Sequence, residues 1–205
     1  MEDDAICLKS SVDKITENFY IANYTVSSYC ASLKFGTASK SGFRNIKVEN
    51  CQIFDSRPPT EGIMFTGLPD HYIEDVVMEN IHLSYTGFRD LDVKDRIVPK
   101  DEARYPEQLF FGTLPSYGMY LRHVKGLTVK NVSMELRDHD NRPAIVMDDV
   151  TESSFEKLHF DIQPSAGSSI LITNGKKLKF DQLFSSREVE YLMKVKGADS
   201  QNIKL

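Results

Sequence analysis

Tryptophan is absent from these 205 residues, and cysteine occurs only three times. Without indole rings the broadest stacking platform for a sugar is missing, which leaves nine Tyr and twelve Phe for that role. Tyr29, Tyr85, Tyr117 and Tyr120 are the candidates. Cys7, Cys30 and Cys51 are odd in number, lie in the first quarter of the chain, and have neither CxxC spacing nor a histidine at zinc distance. They read as small buried thiols. His71, His82, His139 and His159 show no metal-ligand spacing either, so no metal and no cofactor is expected. No segment approaches the roughly 20 apolar residues of a bilayer-spanning helix, and mean hydropathy is −0.35, so no membrane partner is expected. An excess of positive charge is lacking too: 25 Lys and Arg face 30 Asp and Glu, for a net charge of −5. Nucleic acid is therefore a poor partner.

The chain opens on Met1-Glu2-Asp3-Asp4, with no basic segment and no apolar run of a signal peptide. It reads as though it begins inside a longer array, its N-terminal coils lacking. An open sheet end would then be exposed, and self-association through that end is expected.

What the sequence does contain is a repeat. A segment of alternating apolar residues closed by asparagine occurs at 18–26, 45–53, 75–83 and 126–134, with the closing residue at Asn23, Asn50, Asn80 and Asn131. The steps are 27, 30 and 51 residues, the last hiding an insertion. Fainter copies follow at Phe155–Phe160 and Leu178–Phe180. Apolar residues fall at every second position, the period of a strand rather than of a helix. Units this short cannot close a core alone but can stack, and the predicted fold is all-β: a right-handed parallel β-helix of about six to seven coils forming one domain over 1–205. The recurrent asparagines suit tight corners, where they accept left-handed geometry and bond to one another along a ladder. They read as scaffold.

Between Ser84 and Ser116 the rhythm stops and charge accumulates (Arg89, Asp90, Asp92, Lys94, Asp95, Arg96), so an insertion loop is expected over 84–116. It is either solvated or the wall of a substrate cleft. In a parallel β-helix, equivalent positions of successive coils stack into columns. Aligning 4–9 with 31–36 and 61–66 keeps the apolar positions in phase, placing Asp4, Ala31 and Glu61 in one column and Cys7, Lys34 and Met64 in another. Arg122-His123 would lie further along the same face, and Asp148-Asp149 would end a later strand as a corner.

Asp3-Asp4-Ala5-Ile6-Cys7-Leu8-Lys9-Ser10, the stretch from Val26 to Thr37, and Asn45-Ile46-Lys47-Val48-Glu49-Asn50-Cys51 resemble glycoside hydrolase family 28, the polygalacturonases and rhamnogalacturonases. Leu114 to His123 and Arg142-Pro143-Ala144 are similar to bacterial members of that group. The resemblance implies a parallel β-helix and inverting hydrolysis of α-linked galacturonides. By it, Asp3 would protonate the glycosidic oxygen and Asp4 would belong to the carboxylates that activate water. Part of the family pattern is missing: its Asn-Thr-Asp motif has no counterpart, and Cys30-Ala31-Ser32 and Met64-Phe65-Thr66 stand where the family has Gly-His-Gly and Arg-Ile-Lys. No calcium-ligand string is visible, which counts against a β-helical pectate lyase.

Inversion needs an acid and a base carboxyl roughly 6.5–9.5 Å apart. Within their column two coils at about 4.8 Å each separate Asp4 from Glu61, so Glu61 is a candidate replacement for the missing group. Lys34 would meet a galacturonate carboxylate as a point charge. Tyr120, Arg122 and His123 would extend substrate binding. The expected function is thus polygalacturonase-like hydrolysis of pectic or related polysaccharide, the resemblance implying a secreted or periplasmic protein. The alternative is a non-catalytic carbohydrate-binding or structural β-helix.

Overall fold

The computed structural model describes residues 4–28, 31–39, 41–56, 62–87, 93, 96–99 and 111–205, with backbone alone for 36–39, 55 and 56. The fold is a parallel β-solenoid of about six turns. One file of strands runs β1 (Ile6–Ser10), β4 (Leu33–Ser39), β6 (Ile63–Thr66), β8 (Met119–Lys125), the first half of β10 (Ile145–Phe160), β11 (Ser168–Thr173) and β13 (Tyr191–Lys196). A second file runs β2 (Thr16–Ala22), β5 (Phe43–Ser56), β7 (Ile73–Tyr85), β9 (Thr128–Leu136), the second half of β10, β12 (Lys176–Ser185) and β14 (Gln201–Lys204), while β3 (Thr25–Ser27) pairs with the end of β5. Every pairing between these strands is parallel.

The register explains the repeat. Ile6↔Leu33↔Ile63↔Met119↔Ile145↔Ile170 is one inward column and Leu8↔Phe35↔Phe65↔Leu121↔Met147↔Ile172 the next. From Leu33 and Phe35 onward, all of these side chains are at most 1% exposed. Stacking like on like fills the interior without gaps: the Phe35 and Phe65 rings lie parallel with centroids 4.4 Å apart, and Phe155 and Phe180 repeat the arrangement at 4.9 Å on the second sheet. Each such side chain contributes about 1.5–3 kcal/mol by leaving water.

Corners recur at fixed places because the backbone there turns left-handed. Asn18, Asn45, Asp75, Gly126, Glu152, Lys177 and Asn202 form one column with φ between 52° and 72°. Asn23, Asn50, Asn80, Asn131, Lys157 and Gln182 form another between 52° and 61°. Gly126 is the one glycine of the first column, and a Cβ there would lie 2.5 Å from Asp75 Oδ1. The asparagine ladder expected from sequence is present. Asn50 Nδ2 donates to Asn23 Oδ1 at 3.4 Å, Asn80 to Asn50 at 3.1 Å and Asn131 to Asn80 at 2.7 Å. Later coils keep the geometry with Lys157 and Gln182, so the corner dictates the turn and the amide adds the ladder. Asn80→Ala removes two ladder bonds and places a Cβ-bearing residue of poor left-handed propensity at φ 55°. The expected loss is about 1–2 kcal/mol in urea unfolding, with Asn80→Gly recovering the backbone part.

The expected start of the insertion at Ser84 is corrected: β7 continues to Tyr85, because Ser84 and Tyr85 pair with Glu135 and Leu136. The insertion lies between β7 and β8, and its described residues pack back onto the first sheet.

Candidate functional site

Side chains alternate along each strand, so the first sheet has an outward face as regular as its inward one. One outward column is Cys7, Lys34, Met64, Tyr120, Val146, Leu171 and Lys194. A second contains Thr66, Arg122, Asp148, Thr173 and Lys196.

At the β1 end, the pairing Ile6↔Leu33 sets Asp4 opposite Ala31, the column the sequence implied. Asp4 Oδ1 accepts the Ala31 backbone N–H at 3.1 Å, and Oδ2 pairs with Lys34 Nζ at 3.1 Å. Lys34 is 3% exposed. A lysine so buried is costly without a counter-charge, and Asp4 supplies one from the neighbouring coil. Lys34 therefore positions Asp4. Asp3, Glu61, Tyr29 and Cys30 lie outside the described residues. Cys51 is buried and Cys7 half-buried.

Further along the face the insertion forms a lid of its own. Val98, Phe111 and Leu114 pack on Met64, Tyr120 and Val146 in an apolar cluster separate from the solenoid interior. Arg122, 1% exposed, donates from Nη1 to the Val98 and Pro99 carbonyls at 3.3 and 3.0 Å, with its guanidinium 5.4 Å from the Phe111 ring centre. Burial pushes the Tyr120 hydroxyl up to about 12. Tyr120 and Arg122, predicted substrate contacts, thus anchor the insertion to the sheet. The charges of this insertion had pointed to solvent or a cleft, yet its apolar members decide where its described part lies. Arg96 Nη1 donates to Thr113 O at 2.8 Å and ties its two arms together.

His123 does not continue the cleft outward but occupies a corner at φ 51°, in file with Asp149 on the next coil at φ 55°. Its Nδ1 lies 2.7 Å from Asp149 Oδ2, and the Tyr72 hydroxyl donates to the same oxygen. The Tyr72 and His123 rings meet edge to face at 5.7 Å. His123 Nε2 is buried with no hydrogen-bond partner among the described residues. Burial pushes the Asp149 carboxyl up, but the bonds from Tyr72 and His123 outweigh it and hold it below the usual carboxylate range. Burial and the same bond raise the Tyr72 hydroxyl to about 12. A carboxyl lowered by folding contributes stability that is complete above its unfolded value of about 3.9 and is lost as pH falls through its folded value. Asp149→Asn is accordingly expected to flatten the acid limb of stability against pH below about pH 4, read from urea midpoints across the acid range.

Asp149 is the corner that the sequence implies, but its pairing with His123 was missed. The coil step could have put the two in one file, since the 26 residues that separate Asn131 from Lys157 also separate His123 from Asp149, but it carries no sign of the bond between them. Asp140 was missed, and Arg142 was read only as part of the likeness of Arg142-Pro143-Ala144, not as an ion-pair partner. Arg142 Nε and Nη2 meet the two oxygens of Asp140 at 2.9 and 2.7 Å, and Nη1 donates to Leu114 O at 3.2 Å. This second ion pair clasps the C-terminal arm of the insertion. Among the described residues no group of three or more metal-ligating side chains comes together, and no helix is long and apolar enough to cross a membrane.

No protein family, curated protein or solved structure matches this chain.

Proposed function

We propose that this solenoid is a polygalacturonase-like glycoside hydrolase acting on uronic-acid polysaccharide, with Asp4 as the carboxylate that takes a proton from the attacking water. The observation that carries this reading is the cross-coil placement of Asp4. Its two oxygens are held by Lys34 and by the Ala31 amide of the next coil, and it lies in the segment 3–10 that resembles family 28. In the reaction a protonated carboxyl, assigned to Asp3 by the resemblance, gives its proton to the glycosidic oxygen. Water attacks the anomeric carbon from the opposite face, the bond to the leaving sugar breaks, and the proton released by the water passes to the base. Lys34 serves by positioning Asp4.

Hydrolysis of a panel of pectic oligosaccharides, followed by NMR of the product anomers, tests this. Turnover with inversion is expected, and Asp4→Asn should lower kcat by roughly 10²-fold or more, the scale of a lost general base. Turnover that survives Asp4→Asn unchanged overturns the role of Asp4. Binding without turnover supports a second reading, a non-catalytic carbohydrate-binding solenoid. What weighs against the catalytic reading is that Tyr120 and Arg122, expected to extend the substrate cleft, are buried under the insertion and closed to a ligand.

A further inference from the structure

Past the corners at Asn80, Asn131, Lys157 and Gln182, strands β7, β9, β10 and β12 run on, and strand alternation turns every second residue outward. Gln52, His82, Ser133, His159 and Phe184 form one outward column there, one residue per coil at about 4.8 Å. Ser133 therefore stands between two imidazoles. His82 Nδ1 lies 2.7 Å from Ser133 Oγ. Glu135, two residues beyond Ser133 and so on the same side of β9, brings its carboxylate 3.7 Å from His82 Nε2. On the other side of Ser133, the His159 ring stacks on Phe184 with centroids 4.5 Å apart. Beside Ser133 the surface opens into a concavity of about 220 Å³, with Glu135, His159, Asp161 and Phe184 in its lining.

A hydroxyl, an imidazole bonded to it and a carboxylate at the far ring nitrogen are the parts of an activated serine. We propose that this face carries an acyl-transfer site that hydrolyses small neutral esters, with Ser133 as nucleophile and His82 as general base. In the tautomer that does this, His82 Nδ1 accepts the Ser133 proton and Nε2–H is turned to Glu135. Glu135 is a positioning residue, and its share is modest because both side chains stand partly in water. Ser133 Oγ bonds to the ester carbonyl carbon as its proton passes to His82 Nδ1. The carbonyl oxygen takes up the negative charge, and a ring N–H of His159, one coil along the column, stabilises it. The bond to the alcohol oxygen then breaks, and His82 returns the proton to that oxygen. Water attacks the acyl group and gives a proton to His82. The bond to Ser133 Oγ breaks, Oγ recovers that proton, and the acid leaves, so one ester and one water become one acid and one alcohol. The volume is below the roughly 300–1,000 Å³ of pockets for drug-sized ligands, which suits an acyl group of a few carbons against the exposed Phe184 ring. Glu135 and Asp161 make the lining negative and select against anionic esters.

Release of p-nitrophenol from p-nitrophenyl acetate and octanoate by the full chain, together with fluorophosphonate labelling read by peptide mapping, tests the site. The acetate is expected to exceed the octanoate in kcat/KM by about tenfold or more, and the label to fall on Ser133. Ser133→Ala and His82→Gln should each lower kcat/KM by about 10²-fold or more, with circular dichroism unaltered because both side chains lie on the outer face. Glu135→Gln should lower kcat by about tenfold at constant KM, with Glu135→Asp restoring part of it. His159→Phe, which keeps a ring against Phe184 but removes the donor, should lower kcat by about 10²-fold. Hydrolysis undiminished in Ser133→Ala is what surface imidazoles alone would give, and it overturns the proposal. Labelling of another serine, or of none, overturns it equally, and octanoate turning over as well as acetate overturns the short-acyl assignment.

Discussion

Asp140→Ala is expected to lower folding stability by about 3–5 kcal/mol, because it leaves the Arg142 guanidinium buried and uncompensated. Asp140 is fully buried and Arg142 is 3% exposed, and their two-point contact is completed by the Arg142 backbone N–H on Asp140 Oδ1 at 3.0 Å. The loss has two parts. The charge itself is desolvated with no partner, and Arg142 no longer holds the Leu114 carbonyl at 3.2 Å, so the insertion loses a clasp on the sheet. Urea unfolding monitored by circular dichroism gives the size of the effect. Hydrogen exchange gives its place, with protection falling first at Leu114 and Tyr120. Replacing both partners by apolar residues, Asp140→Leu with Arg142→Met, should recover most of the stability, since neither charge then remains to be satisfied. A loss below 1 kcal/mol in Asp140→Ala would mean that water reaches Arg142 and that the pair is not the clasp described here.

Phe65→Ala is expected to cost a similar amount, about 3–5 kcal/mol, through the interior rather than through charge. Phe65 is fully buried, stacked on Phe35 at 4.4 Å, with Leu121 on its other side in the column. Removing the ring opens a cavity that the neighbouring coils cannot close, since the hydrogen-bonded coil spacing is set by the backbone. A solenoid transmits such a loss along its axis, because each coil is stabilised chiefly by its neighbours. Calorimetry of Phe65→Ala should therefore show a lowered Tm and a broadened transition. Phe65→Leu, which keeps most of the volume, should cost about half as much or less. A Phe65→Ala protein with unaltered Tm would show that the column does not carry the core.

The column alignment succeeded because it uses only the coil period and the strand alternation, both of which are local. Placing Asp4 across from Ala31, and Cys7, Lys34 and Met64 in one file, needed no knowledge of side-chain contacts. The asparagine corners were legible for the same reason: a left-handed residue before a strand is a local demand. Lys157 and Gln182 show its limit, since they occupy the same left-handed corner without advertising it. Lys34, Tyr120 and Arg122 were read as substrate contacts because their columns face outward, but facing outward from a strand is not the same as facing solvent. Whether another segment covers Tyr120 and Arg122 depends on where residues 96–99 and 111–114 lie, and their apolar members Val98, Phe111 and Leu114 are too few to show a period.

By itself, then, the sequence determined the β-solenoid, its coil length, its corner columns and which positions share a face, because each follows from a repeat that every coil states again. Only the tertiary structure decided that Lys34 is bound to Asp4, that Arg122 holds the insertion, and that His123 meets Asp149 and Tyr72. These are single contacts between coils or from the insertion to the sheet, made once in the molecule. A pattern that occurs once leaves no periodic trace, and its energy comes from desolvation and charge pairing that exist only when the chain has closed over them.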